Sequence, residues 1–272
     1  MKPLAKTEGG SPPSFSLLET NSYIVVDNET LFKNIQSSLE RGLPSLVGKV
    51  SPHFKKALIV AGGPSLKTEL RDIRKHKDRG GVIFSVNGTH DYLIKHKIVP
   101  DYMVMVDPKE SNKRFVQNPN KRVEYLIGSC CDPAVFDNLQ GQNVKLWHPI
   151  LKINEENQFT NVPMWIGGGT TVGLRAISVG YVLGFRDFLL FGFDGCLKGE
   201  DHHAYKQPEN DEKKIIDVWF KGKEYFCHIW MATQAQDFID FLKINGSLMK
   251  IKIHTPGLIK AISQHIGEYY AS

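Results

Sequence analysis

Three observations predict a single α/β domain with a mostly parallel sheet and helices on both faces. Short apolar runs alternate with amphipathic stretches from about residue 55 onward, which is the pattern of strands joined by crossover helices. Turns rich in glycine or aspartate close most of those runs. No fixed-period repeat or linker interrupts residues 55–265. The chain has 272 residues, 41% of them hydrophobic and 23% charged; that is enough for a substantial core and excludes wholesale disorder.

Residues 1–22 carry Gly9, Gly10, Pro12, Pro13 and several serines, and read as a flexible arm. In an N-terminal segment of residues 23–54, a helix is predicted over 29–41 with Asn28 as its cap. Leu31, Ile35 and Leu39 share one face of it, and Gly42 and Pro44 end it. Residues 57–60 form a strand apolar enough to be buried on both faces. Gly62-Gly63-Pro64-Ser65 follows, then a helical stretch with Leu66, Leu70 and Ile73. Residues 81–86 make a second strand ending in Asn87-Gly88, and 102–106 a third closing on Asp107-Pro108. Two more strands are predicted at 123–127 and 144–147. Gly167-Gly168-Gly169-Thr170-Thr171 opens a helix reaching about residue 183, and a strand over 188–191 leads to Asp194-Gly195. The polar segment 198–227 has no sustained period and is too long for a plain connection, so a lid or binding loop is expected. A helix over 230–242 and a strand over 250–253 complete the main domain, residues 55–272.

Net charge and apolar content narrow the function classes. The formal charge is +5 and the isoelectric point about 8.9, without the clustered basic stripe of a nucleic-acid binder. The densest basic stretch, residues 67–79, is interspersed with Glu69, Asp72 and Asp78 and reads as a solvated helix face. No apolar run reaches the roughly 18 residues of a membrane span; the most apolar stretch, 181–193, contains Arg186 and Asp187. The first residues lack the apolar core of a signal peptide. Four cysteines, with Cys130 and Cys131 adjacent, make neither a disulfide framework nor a C-x-x-C site. A reduced, cytoplasmic chain is expected.

In an open parallel sheet, ligands bind beyond the carboxyl ends of the strands, and the unusual polar turns fall there. Gly62-Gly63-Pro64-Ser65 lets backbone approach a ligand closely, and Ser65 would cap a helix whose free N–H groups suit a phosphate. A tight turn without a ligand is the alternative. Gly167-Gly168-Gly169-Thr170-Thr171 makes a second candidate anion cradle, so a nucleotide gripped from two sides is expected. Neither turn is a Walker A loop or a G-x-G-x-x-G fingerprint. Asp107 and Asp194 end strands and are candidates to hold magnesium or orient a ribose; Asp101 precedes its strand and reads as structural. His203 and His228, beside Tyr205 and beside Tyr225 and Phe226, are the proton-transfer candidates, with a packed loop histidine as the alternative. Lys206 and Lys221 are candidate phosphate partners. His202-His203, next to Glu200 and Asp201, comes nearest to a zinc site, but adjacent loop side chains seldom both ligate.

Together Ala61-Gly62-Gly63-Pro64-Ser65-Leu66, Val86-Asn87-Gly88, Pro100-Asp101-Tyr102, Asp107-Pro108 and Gly167-Gly168-Gly169-Thr170-Thr171-Val172 resemble the MptE-like domain family. Phe191-Gly192-Phe193-Asp194-Gly195 and His203-Ala204-Tyr205 continue the resemblance, which covers about residues 55–262. That family is named for the archaeal 6-hydroxymethylpterin diphosphokinase and includes domains of motility-associated flagellin glycosyltransferases. It is similar, more remotely, to bacterial sialyltransferases that use a CMP-sugar donor. The resemblance implies a Rossmann-like fold in which Gly62, Gly63, Pro64, Ser65 and Asn87 hold the nucleotide, and Thr170 and Thr171 contact its phosphate or base; Gly168 and Gly169 belong to the expected cradle. In the sialyltransferases a histidine after a mobile loop is the catalytic base, and His228 stands in the comparable place. They carry asparagine where Gly62 and Asp107 stand here, and a carboxylate at Asp107 favours a metal.

The expected function is therefore nucleotide-dependent transfer, with glycosyl transfer from a nucleotide-activated sugar placed first. ATP- and magnesium-dependent diphosphate transfer to a 6-hydroxymethylpterin-like molecule is the second reading, and a nucleotide-binding module without chemistry the third. The expected partners are a nucleotide donor and a hydroxyl-bearing acceptor; nucleic acid is not among them, and a homo-oligomer stays open.

Overall fold

The computed structural model describes residues 26–48, 50–151, 159, 162–207 and 214–270; the expected arm of residues 1–22 lies outside them. Eight strands form one sheet: β1 (Lys56–Val60), β2 (Val82–Val86), β3 (Tyr102–Met105), β4 (Glu124–Gly128), β5 (Asn143–Pro149), β6 (Trp165–Ile166), β7 (Asp187–Phe191) and β10 (Lys250–Ile253). They lie in the order β10-β7-β1-β2-β3-β4-β5-β6, and every pairing is parallel. The chain thus steps outward from β1 to β6, then returns to enter β7 on the opposite side of β1. The reversal between β1 and β7 is the topological switch point, where an open α/β sheet leaves a crevice beyond its carboxyl ends.

Both faces of the sheet are covered, which is why its strands read as near-continuous apolar runs. On one face Leu58 and Val60 of β1 pack with Leu66 and Ile73 of α2 (Leu66–Asp78) and Leu93 of α3 (Thr89–Lys95). Toward β5, that face is filled by Tyr125 and Ile127 with Val135 and Phe136 of α4 (Pro133–Asn138). On the other face Ala57 and Ile59 meet α5 (Val172–Val182), which carries the chain back across β1, β2 and β3. The same core includes Phe238 of α6 (Ile229–Asn245) and Ile262 of α7 (Leu258–Tyr270). Asp101, read as structural, accepts the Ile83 N–H at 2.8 Å and pairs with Lys77.

The segment 198–227 differs from the expected lid or loop. Within it, β8 (Ile215–Phe220) and β9 (Lys223–His228) form an antiparallel hairpin. Val218, Phe220, Tyr225 and Cys227 point into the α6–α7 core, while Trp219 and Phe226 face outward. Apolar residues on both faces erased the two-residue alternation by which a strand is recognised. Three other elements were too short to show a period: α3, α4 and a 3-10 segment over Glu110–Val116.

The N-terminal helix α1 (Asn28–Glu40) is capped one residue before the expected Asn28, since Asp27 accepts the Thr30 N–H at 2.7 Å. Its Leu31 and Ile35 pack with Cys130 and Val106. The buried Asn34 amide donates to the carbonyls of Pro108 (3.1 Å) and Cys130 (3.0 Å), so α1 braces the turns leaving β3 and β4. Pro44 and Leu46 each exchange a 2.8 Å backbone bond with Leu146, holding the chain after α1 to the edge of β5. Replacing Asn34 by Ala leaves both carbonyls short of a donor, and about 1–3 kcal/mol of stability should be lost. Urea unfolding of N34A would measure it.

Candidate active site

The cavity beyond the carboxyl ends of β1, β2, β3 and β7 has a volume of about 290 Å³. Its floor is the turn after β1, and several N–H groups of that turn are bonded within the protein. Gly63 N–H donates to Gly192 O at 2.9 Å, and Ser65 N–H to the Asp194 carboxylate at 3.2 Å. The Leu66, Lys67 and Thr68 N–H groups donate back to Gly63, Pro64 and Ser65 carbonyls. Of the expected phosphate cradle, Gly62, Gly63 and Pro64 line the cavity, while the Ser65 N–H is already bonded to the Asp194 carboxyl group. Ser65 itself is helical in backbone and makes no side-chain cap bond. The two glycines are required by packing. A Cβ on Gly63 would lie 2.1 Å from Asp194 Oδ2 and 2.5 Å from Gly192 O, and one on Gly62 would lie 2.5 Å from Tyr205 Oη.

The second glycine turn also has a different role from the one expected. Gly168 and Gly169 have φ of 135° and 77° and fold against Ser178 and Leu174 of α5. The Thr170 hydroxyl donates to the Asp237 carboxylate on α6, so this residue joins two helices. From that turn only Thr171 lines the cavity; its hydroxyl caps α5 by accepting the Leu174 N–H at 3.4 Å. Thr171, Val172 and Gly173 at the start of α5, with Trp230, Met231 and Gln234 at the start of α6, present two helix N-termini to one space, an arrangement that favours an anion.

Of the carboxylates, Asp107 and Asp194 both line the cavity. Asp107 accepts the Lys109 N–H at 3.1 Å. Asp194 is 4% exposed, and burial, with a smaller contribution from the charge of Glu69, pushes its pKa up to about 7. Glu69, also raised by burial, accepts from Gly192 N–H (2.9 Å) and the Thr255 hydroxyl (3.1 Å). The Asp194 carboxyl group is already engaged by the Ser65 N–H. Among the described residues, no group of three or more His, Cys, Asp or Glu is placed to hold a metal ion. The expected magnesium site would therefore rest on two carboxyl groups, Asp107 and Asp194, the second already bonded to the Ser65 N–H.

The histidines divide. His203 lines the cavity beside His202, with their Nδ1 atoms 2.7 Å apart, and stacks on Trp230 at 5.4 Å. Removal from bulk water, then the charges of His202 and His228, push its pKa down to about 3, so it is a neutral imidazole at neutral pH. His228 does not line the cavity. It is 3% exposed, its Nδ1 donates to Lys214 O at 3.4 Å, and its ring lies 6.2 Å from Trp230. His228, the other expected catalytic residue, thus stands behind Trp230 and His202 and not in the cavity wall.

Residues not anticipated complete the wall: Lys109, Ser111, Asn112, Arg114 and Phe115 after β3, with Tyr205, Gln207 and Trp230. The cavity cations are Lys109 and Arg114, in place of Lys206 and Lys221. Asn87, with φ of 45°, has a buried Oδ1 without a hydrogen-bond partner, as have Asn112 Nδ2 and Trp230 Nε1. Asn112 is only 6% exposed. The location of residues 109–115 directly after Asp107-Pro108, at a strand's carboxyl end, was the one sequence signal for them.

A parallel α/β sheet with a polar, cation-walled cavity at its switch point defines a class of small-molecule-binding α/β proteins. The family described as 6-hydroxymethylpterin diphosphokinase MptE-like matches residues 29–200, and the chain belongs to that family. The match starts within α1, earlier than the resemblance from residue 55, and stops before the hairpin. No curated protein matches the sequence. Among solved structures, the MAf glycosyltransferase from Magnetospirillum magneticum AMB-1 superposes with a TM-score of 0.64 at 16% identity, over 90% of this chain and 42% of that one. The chain thus spans under half the length of that enzyme, and the likeness is one of fold. Two structures of a mammalian sialyltransferase, one in complex with Gal-beta-1-3GalNAc-ortho-nitrophenol, match at 10% and 12% identity with TM-scores of 0.45 and 0.43, covering 88% of each chain. No described helix is long and apolar enough to cross a membrane.

The Asp194 proton makes stability pH-dependent. The unfolded chain releases it near the ordinary value of 3.8, whereas the native state holds it to about 7. Between those values the native state binds more protons, so raising the pH through this window destabilises it. Asp194→Asn, which keeps an oxygen for Ser65 N–H, should flatten that dependence and make the protein about 1–3 kcal/mol more stable than wild type at pH 8. Urea unfolding of both proteins at pH 5 and pH 8 would test it.

Proposed function

We propose that this chain transfers a glycosyl group from a nucleotide-activated sugar to a hydroxyl-bearing acceptor. One observation carries the reading. Asn87, Asn112 and Trp230 line one cavity beside Lys109 and Arg114, and the buried Oδ1, Nδ2 and Nε1 atoms of the three have no protein partner. A buried polar atom without a partner costs about 1–3 kcal/mol, so small side-chain rotations that bring this acceptor and these two donors to a heterocyclic base edge or sugar hydroxyls would be favoured on binding. Lys109, Arg114 and the N-termini of α5 and α6 suit the phosphate.

His203 is the candidate base, since a neutral imidazole at the cavity wall can accept a hydroxyl proton. In the step proposed, that proton goes to the imidazole and the acceptor oxygen bonds to the anomeric carbon. The bond from that carbon to the phosphate oxygen breaks, and the electron pair leaves on the nucleotide, where Arg114 and the helix N-termini stabilise its charge. The family's name and the fold shared with the MAf glycosyltransferase support transferase chemistry. The environment of Asp194 weighs against a route that needs it as a metal ligand.

Thermal-shift measurements with CMP, CTP and ATP, each with and without magnesium, would discriminate the readings. Stabilisation by CMP or CTP without metal is expected, and Asn112→Ala should weaken it about tenfold. His203→Ala should lower kcat by about 100-fold or more while leaving that shift in place. Stabilisation by ATP only with magnesium would transfer the assignment to diphosphate transfer, and tight binding without turnover would leave a nucleotide-binding module.

A further inference from the structure

His202 and His203 both line the cavity, with Nδ1 atoms 2.7 Å apart and ring planes 80° apart. Two imidazole nitrogens at that distance need one hydrogen between them, because two lone pairs or two N–H groups would repel. In the state where both rings are neutral, each carries a single N–H. The ring that donates from Nδ1 therefore has a bare Nε2, and the ring that accepts carries its hydrogen on Nε2. Whichever ring donates, the pair presents one proton acceptor and one proton donor. Trp230, stacked on His203, and His228, 5.8 Å from His202, hold the rings in this relation.

We propose that His202 and His203 act as one proton-transfer unit, so that His202 is a catalytic partner of His203. The assignment rests on the transferase reading above. The bare Nε2 takes the acceptor hydroxyl proton as the new glycosidic bond forms and the sugar–phosphate bond breaks. The hydrogen shared by the two Nδ1 atoms then crosses to the second ring, which releases its own Nε2 proton to water. One proton enters and one leaves, both rings end neutral, and their tautomers are exchanged. The charge formed on the base is thereby spread over two rings in a site that removes it from bulk solvent.

Nitrogen-15 NMR of the full chain labelled on histidine tests the pairing without any substrate, using His202→Phe and His203→Phe for assignment. One Nδ1–H ring and one Nε2–H ring are expected, with a scalar coupling between the two Nδ1 nuclei that disappears in His202→Phe. In the transfer assay His202→Phe should lower kcat at least about tenfold with the donor KM within about twofold. His202→Asn, which keeps a side-chain oxygen able to accept from His203, should recover part of the loss. Two Nε2–H rings without coupling would overturn the pairing. An intact coupling with wild-type turnover in His202→Phe would overturn the catalytic role. An intact coupling in a protein that turns over no nucleotide sugar would remove the transferase reading and the role with it, leaving only the shared hydrogen.

Discussion

The clasp between the turns after β1 and β7 is the constraint on which the site depends. Two strands meet at the switch point, and the chain leaving each must turn away without filling the crevice. Gly63 and Gly192 approach to hydrogen-bond distance, and the Asp194 carboxylate reaches under the first turn to take the Ser65 N–H. A side chain on Gly63 would occupy the space of that carboxylate. Glu69 holds the other turn from below through Gly192 N–H and the Thr255 hydroxyl. Burial and the neighbouring acid both raise the pKa of Asp194, so the carboxyl group in the cavity floor carries less negative charge than a free aspartate would.

That reduced charge shapes what the cavity can attract. A floor of fully ionised carboxylates would repel a phosphate or invite a cation. With the Asp194 pKa raised to about 7, the cations Lys109 and Arg114 and the N-termini of α5 and α6 weigh more in the field of the cavity. Trp230, His203 and Tyr205 form an aromatic part of the wall, with the Trp230 and His203 rings stacked. Tyr205, wedged between Gly62 and Gly88 and bonded to Thr89 at 3.3 Å, has a phenol pushed up to about 12 by its enclosure and stays a neutral donor.

The parts outside the matched family region complete the site. The family match ends at residue 200, yet His202, His203, Tyr205, Trp230 and Gln234 come after it. The hairpin of β8 and β9 seats its inner face on the α6–α7 core and delivers the start of α6 to the cavity. The Thr170–Asp237 bond joins the start of α5 to α6. The cavity wall up to Gly195 thus falls within the family match, while His202, His203, Tyr205, Trp230 and Gln234 fall after it.

Local sequence determined the sheet. Doubly buried strands must be apolar on both faces, so residues 57–60, 102–106 and 188–191 declared themselves, and glycine and aspartate turns marked the carboxyl rim where a ligand binds. Gly62, Gly63, Asn87, Thr171, Asp107, Asp194 and His203 were legible because each sits next to such a strand end or within the polar segment. Tertiary structure alone decided which polar groups remain available. Ser65 and Thr170 carry the right atoms, but partners 129 and 67 residues away claim them. Asn112 and Trp230 look ordinary in sequence and are left without partners only by packing. A hydrogen bond forms where two groups meet in space, and no local pattern records that meeting.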